Sequence, residues 1–585
     1  MRNLCGAGSL LVTVVVACML GGCREQARSV SPEVLKHVIA VDSDGIAGDP
    51  ISHTQTARST AAYDFDGQLK EIFAAMDGEH KRIDAFKAQR RFAATGSAGA
   101  AAPTTRPVRR VLLFVHGGMN EPDDALQSAV NESRAMADEH ADFFPIFINW
   151  NSGLQSSYGE HLVDVRRGRK DHKNLVLTRA IAPFVFLADL GSAIGRAPLL
   201  WLYQIERDLQ AGASDVLLLA PNTPSDKRWF RHPRLEDTVR MTSALQAQYS
   251  ADSDKSIQIS TGDEEVSAKE LHWLAVRYFG MLPFKFVTSP LLDGLGTPAW
   301  DNMSRRTQVM FEGSTIDIPP GSNDPAEILN HPPGAVEYFA GELEKHIGEN
   351  ADRYDYQLTV IGHSMGSMVL NEFLRRHPGL PYENIVYMGA ACSVRDFSKS
   401  VIPVMVKNPK ARFFNLCLHP TAEVRETHGL EFPPRGSLLV WIDDYFANPA
   451  TPLDRTMGRW ENIVESSYVI PDDPAMKRRM TFKAFGLRPT PQLVDDVPQQ
   501  HGDFRACRYW SPSFWQAEPI AAVQKRITEY ADEINRKEQV RRLRSGAPQQ
   551  KSQRQMTTTQ PQPQLEQQKT PVQRYEKPAT MPSGA

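Results

Sequence analysis

Leu358-Thr359-Val360-Ile361-Gly362-His363-Ser364-Met365-Gly366 is an apolar run of the kind that forms a buried strand, followed at once by the pattern G-x-S-x-G and then by a helix-like stretch from Ser367 to Arg376. A serine hydroxyl is a weak nucleophile unless a base stands beside it and its backbone turns sharply enough to expose the oxygen. Glycine at 362 and 366 leaves room for that turn. The five letters alone are a moderate signal, and the strand before and helix after make it a strong one.

Outward from this point the same grammar repeats. Val111-Leu112-Leu113-Phe114-Val115 is continuously apolar and ends in His116-Gly117-Gly118. Pro145-Ile146-Phe147-Ile148 follows a helical stretch from Asp123 to His140 and ends at Asn149-Trp150-Asn151-Ser152-Gly153. Ile385 to Met388 and Phe413 to Leu418 complete five strands, with Ser437 to Ile442 expected as the last. Strands that alternate with helices imply an α/β fold with a doubly wound, mostly parallel sheet.

Between the second strand and the serine lies a long insertion, about 153 to 333, read as a large helical cap. Its apolar segments, Ile181 to Leu190, Ala197 to Ile205 and Leu271 to Val287, are interrupted by Asp189, Arg196, Arg277 and Lys285, so none is expected to span a bilayer. Two roles remain open for them: an acyl-binding or membrane-facing surface, or faces buried against the main sheet. Arg166, Arg167, Arg169, Lys170 and Lys173 form a basic run that suits either solvated surface or anionic lipid headgroups.

Acyl transfer by serine needs a base, an acid to orient it and backbone donors for the developing oxyanion. In the chain order nucleophile, acid, histidine, the base lies well downstream of Ser364, where His377, His419, His428 and His501 are the candidates. His501, in the polar stretch Gln500-His501-Gly502-Asp503-Phe504, is preferred. The loop after the fifth strand carries glutamates and no aspartate, and Glu423 is the first choice for the acid, with Glu426, Asp396, Asp443 and Asp444 as rivals. The Met365 amide is one expected oxyanion donor, and Gly118 or Met119 the other. His116 is expected to shape its loop by hydrogen bonding. Activity should then rise with pH through the titration of the base, near ~6.5 for an unperturbed histidine.

On His116-Gly117-Gly118, Gly362-His363-Ser364-Met365-Gly366 and His501, residues 108 to 153 and 334 to 530 resemble the α/β-hydrolase superfamily of serine esterases and lipases. The segment Ile148 to Gly153 is similar to the W-P-S-x-G strand end of one bacterial branch, with Asn151 in place of its proline. The resemblance implies an α/β-hydrolase fold and a serine carboxylic-ester hydrolase, in which Ser364 is nucleophile, His501 base and Met365 oxyanion donor. A thioesterase, peptidase or acyltransferase shares these motifs, because they report acyl chemistry and not the leaving group. A non-catalytic envelope scaffold is the rival class.

The N-terminus adds a location. Arg2, the uncharged apolar stretch Leu4 to Leu20 and then Leu20-Gly21-Gly22-Cys23 read as a lipoprotein signal peptide over 1–22, with Cys23 lipidated and the chain anchored to a membrane, on the periplasmic side of an outer membrane if there are two. Residues 23–107 are expected to hold a polar tether, a helix through Leu69, Ile72, Phe73 and Met76, and a linker from 93 to 107; the catalytic domain is expected over 108–530. Pro519 to Leu543 reads as a charged helix, and the Gln- and Pro-rich stretch 546–585 has too little apolar content to fold.

With 66 basic and 69 acidic residues the net charge of −3 gives no ground for a nucleic-acid partner. The expected partners are a small-molecule or lipid ester and the membrane. No cofactor is implied, and no metal-ligand spacing occurs. Of six cysteines, Cys392, Cys417 and Cys507 lie outside the leader and lipidation site, and a Cys392 to Cys417 bridge is permitted although buried free thiols are favoured.

Overall fold

Alternation of apolar side chains with a period of two builds the centre of the molecule, because successive residues of a strand face opposite sides of a sheet. The computed structural model describes residues 32–51, 63–95, 106–166, 169–170, 175–216, 257–259, 276–313, 333–418, 422–423, 426, 435–485, 497–516 and 536. The lipidation site and the Gln- and Pro-rich tail lie outside them, as does nearly all of the expected charged helix.

The strands in chain order are β1 (Val38–Val41), β2 (Ala47–Gly48), β3 (Val108–Val115), β4 (Phe144–Trp150), β5 (Val165–Arg166), β6 (Arg169–Lys170), β7 (Ile257–Ile259), β8 (Asp355–His363), β9 (Tyr382–Met388), β10 (Arg412–Cys417) and β11 (Met480–Ala484). Nine of them form one sheet in the order β2-β1-β4-β3-β8-β9-β10-β11-β7, while β5 and β6 make a small antiparallel pair. Within the large sheet every pairing is parallel except that of β2 with β1. The long helices are α1 (Phe65–Thr95), α2 (Pro122–Asp138), α3 (Leu154–Val163), α4 (Leu175–Val216), α5 (Leu282–Glu312), α6 (Ala335–Glu349), α7 (Gly366–Arg376) and α8 (Val394–Lys407).

One face of the sheet presents Val111, Leu113 and Val115 of β3 with Leu358 and Val360 of β8, and these pack with Leu69 and Ile72 of α1, Met303 and Phe311 of α5, Phe339 of α6, Phe373 of α7 and Phe397 of α8. The other presents Leu112 and Phe114 of β3 with Val386 and Met388 of β9, packed with Leu126 and Val130 of α2 and with Phe504, Tyr509 and Trp515. The result is an α/β fold with a sheet covered on both sides, the arrangement that parallel strands require. Each large apolar side chain buried this way contributes about 1.5–3 kcal/mol relative to exposure.

Several expectations are corrected. The stretch expected to be a polar tether supplies β1, which pairs with β4, while the expected helix through Leu69, Ile72 and Met76 is present as α1 with those side chains buried in the core. The sheet therefore does not begin at residue 108. Ser437 to Ile442 is no strand: Leu438–Trp441 is helical and continues into a π-helical turn at Ile442–Phe446. The strand beyond β10 is β11 instead, and beyond it lies β7, which comes from within the insertion. Leu175–Val216 is one helix across Asp189 and Arg196, and its part Arg179–Ile205 is long and apolar enough to cross a membrane by length and composition, contrary to the reading that these charges interrupt it too much to span. Within the insertion α5 buries Met303, Met310 and Phe311 in the main core, while α4 leaves a row of large apolar side chains exposed. Cys392, Cys417 and Cys507 are buried free thiols, with no bridge between the first two.

Candidate active site

Ser364 occupies the turn between β8 and α7, at the carboxyl end of the sheet's central strand. Its φ of 52° is left-handed, a conformation that costs a residue with a side chain about 1–3 kcal/mol and persists only where surrounding bonds impose it. They do so here. The Ser364 amide donates to the Met388 carbonyl at 2.9 Å, and the Ser364 carbonyl accepts from the amides of Ser367 and Ala391, both at 3.1 Å, and from the Ser367 hydroxyl at 2.6 Å. The neighbouring backbone comes so near that a Cβ on Gly366 would lie 2.2 Å from the Val115 carbonyl oxygen, and one on Gly117 would lie 2.7 Å from the Ser364 Cβ. The turn after β3 is thereby pressed against the serine.

That turn is held by a second set of bonds. His116 accepts the Trp150 amide on Nε2 at 3.1 Å, which leaves Nδ1 to donate to the Gly117 carbonyl at 2.8 Å. Burial pushes the His116 ring down to about 4, so it stays neutral and serves as a bracket, as expected. Asn120 Nδ2 and Ser152 Oγ also donate to the Gly117 carbonyl, at 2.9 and 3.0 Å. The Met119 amide is committed to the Ser152 carbonyl at 2.7 Å, which removes it as an oxyanion donor. The amides of Gly118 and Met365 donate to no other group among the described residues. Asn151, at the position of the proline noted above, accepts a hydrogen bond from Arg306 Nη1 on its carbonyl at 3.0 Å and so ties the strand end to α5.

His501 is buried in the short 3-10 turn His501–Arg505. Its ring lies against the turn after β9, where a Cβ on Gly389 would sit 3.0 Å from Nδ1, and the same turn receives the Ser364 amide through Met388. Glu426 Oε2 accepts the His501 amide at 2.9 Å. His363, the variable residue of the serine motif, donates from Nε2 to the His501 carbonyl at 3.0 Å, with the two ring centroids 5.1 Å apart. Burial, then the neighbouring His501 ring and Arg505, hold His363 well below the usual histidine range. The 501–505 turn is fastened from its other side, where Arg505 meets Glu132 at 3.2 Å and Asn120 at 3.3 Å.

The expected acid is elsewhere. The buried Glu423 carboxyl accepts from the Ser437 hydroxyl and makes no hydrogen bond with His501; burial raises it to about 7, against the pull of Ser437 and Arg459. Asp443 is bound to Arg459 at 3.0 Å and to the Thr456 amide at 2.8 Å, and Asp396 begins α8 beside Arg375 at 3.6 Å. Asp444 is partly buried on the π-helical turn with Asp443. His377 lies at the end of α7 beside Glu344 at 3.2 Å, while His419 and His428 fall outside the described residues.

Ser364, His501 and Glu426 thus converge at one edge of the sheet from widely separated positions. The buried Ser364 hydroxyl has no hydrogen-bond partner among the described residues, so no bond joins it to the imidazole in this state. His363, Asn120, Ser152 and Arg505 were not singled out from sequence as site residues. Of these, His363 and Ser152 carried a signal, the first through its place inside the serine motif and the second through the strand end Ile148 to Gly153.

The fold and site define an α/β protein with a serine held on a strained strand-to-helix turn beside a buried histidine. Comparison with known proteins adds no family: no family model, no curated protein and no solved structure matches the chain.

Proposed function

We propose that the protein is a membrane-anchored serine hydrolase of α/β-hydrolase fold that cleaves carboxylic esters through an acyl-enzyme on Ser364. The observation that carries this reading is the left-handed Ser364 turn, supported by the Gly118 and Met365 amides, which donate to no other group among the described residues, and by the bond from the neighbouring His363 to the His501 carbonyl. In the reaction Ser364 Oγ attacks the ester carbonyl as His501 takes its proton, and the two amides donate to the oxyanion. The alcohol leaves with that proton. Water, deprotonated by His501, then releases the acid and restores the serine. Glu426, through its bond to the His501 main-chain amide, holds the turn that carries the base. The anchor at Cys23 rests on the apolar leader and the sequence Leu20-Gly21-Gly22-Cys23.

A fluorophosphonate probe tests the reading. Wild-type chain should be labelled, Ser364→Ala should not, and His501→Ala should label far more slowly. An unlabelled wild type that stays unlabelled in detergent and in lipid vesicles overturns it in favour of a scaffold.

A further inference from the structure

We infer that the exposed face of α4 and the start of α5 lies in the interface of a lipid bilayer, as a docking surface separate from any acyl anchor at Cys23. This goes beyond the proposed chemistry and does not depend on it.

From Ile181 to Tyr203 the sequence holds only two charged residues, Asp189 and Arg196. Both are drawn to the protein side. Asp189 Oδ2 meets His161 Nε2 of α3 at 3.0 Å and the Tyr158 hydroxyl at 3.3 Å, while Arg196 Nη2 meets the buried Asp293 of α5 at 2.6 Å. At the start of α5 the one cation, Lys285, is likewise buried, against Asp208 at 2.9 Å. What faces outward is apolar: Phe184 is 70 % exposed, Leu187 59 %, Ile194 59 %, Leu202 62 % and Val287 74 %. A patch of this kind on a protein in water marks an interaction site.

The composition selects the occupant. Phe184, Trp201, Tyr203 and Phe284 are distributed along the face, and Trp201 satisfies its Nε1 on the Phe286 carbonyl at 2.9 Å while its ring stays partly exposed, the amphipathic arrangement favoured at a membrane boundary. Immediately before α4 the sequence carries Arg166, Arg167, Arg169, Lys170 and Lys173, cations suited to anionic headgroups. The 27 residues Arg179–Ile205 extend about 40 Å at ~1.5 Å per residue, more than the ~30 Å of a hydrocarbon core. Yet the inner side of the helix is packed on the protein, with Ala193, Ala197 and Leu200 buried and with Asp189 and Arg196 bonded to α3 and α5, so that only its outer side is left for lipid and the helix lies along a membrane without crossing it.

The test uses the full chain in vesicles of phosphatidylethanolamine and phosphatidylglycerol. Spin labels are placed by the single substitutions Leu187→Cys, Ile194→Cys and Leu202→Cys, with Val406→Cys and Tyr468→Cys as controls at exposed positions away from this face, and the signal of the parent chain with its native cysteines is subtracted. Labels at 187, 194 and 202 should be open to oxygen and several-fold less open to a water-soluble nickel chelate than those at 406 and 468. Equal chelate access at all five positions overturns the proposal. Shielding that persists without lipid and grows with protein concentration also overturns it, and assigns the face to a second copy of the chain. Omitting phosphatidylglycerol should weaken the shielding if the basic run contributes as inferred; unchanged shielding confines the docking to the apolar face and removes the basic run from the proposal.

Discussion

His363 Nε2 donates to the main-chain carbonyl of His501 at 3.0 Å, so the residue before the candidate nucleophile holds the loop of the candidate base. Two segments that must keep a fixed distance for proton transfer are thereby joined without occupying either ring nitrogen of His501. His363→Ala should lower kcat by about 10²-fold, the effect of a misplacement on the order of 1 Å, while KM and the shape of the pH profile stay unchanged. A shifted pH profile instead of a uniform fall would show that the ring acts on the charge of His501 and not on its position.

Glu426 and Glu423 are separated by two residues and differ in what they touch. Glu426→Ala removes the acceptor of the His501 main-chain amide and should reduce kcat by about 10²-fold through misplacement of the base, whereas Glu423→Gln should leave turnover near wild type. Ester hydrolysis by the two purified variants decides the assignment; the reverse ranking restores Glu423 as the acid.

Glu423 makes a separate statement about stability. Its carboxyl titrates at about 7 in the folded protein against an ordinary 4.5, so between those values the folded chain keeps a proton that the unfolded chain has released. Stability from this group is full below pH ~4.5 and is lost as pH rises through ~7, a change on the order of 3 kcal/mol. Glu423→Gln cannot ionise and should lose that slope. Urea unfolding of both proteins across the window should show wild type falling relative to the variant as pH increases.

Gly366→Ala adds a Cβ 2.2 Å from the Val115 carbonyl oxygen, a backbone atom of β3 that cannot swing aside. The variant should unfold at least about 2 kcal/mol more easily and lose probe labelling, both measurable on one preparation.

How far the sequence foretold this structure varied with the kind of signal. β3, β4, β8, β9 and β10 were legible because buried parallel strands read as continuous apolar runs. β1 escaped notice because Val38-Ile39-Ala40-Val41 is four residues long and lies in polar surroundings. Leu438 to Ile442 was read as a strand because a short apolar run without alternation suits helix and strand equally. β11 was hidden by Lys483, whose Nζ is satisfied by the Phe514 carbonyl at 2.9 Å and the Gln516 carbonyl at 3.1 Å, a compensation made by residues about thirty positions away. Ser364, Met365 and His501 were singled out from motif and chain order. Glu423 and Glu426 could not be told apart in the same way, since two glutamates so close in one loop differ only in where that loop points them.

The two outer margins of the large sheet come from opposite regions of sequence, β1 and β2 from before residue 50 and β7 from within the insertion. Neither margin survives the trimming that a conventional domain boundary would suggest. A fragment starting at residue 108 leaves the amides and carbonyls of Phe147–Trp150 of β4 as a sticky rim four residues long, open to any other extended chain. Excising the insertion does the same to β11. The sheet therefore resists modular dissection: its central strands and its two margins form one object, and versions shortened at either margin should be recovered as aggregates.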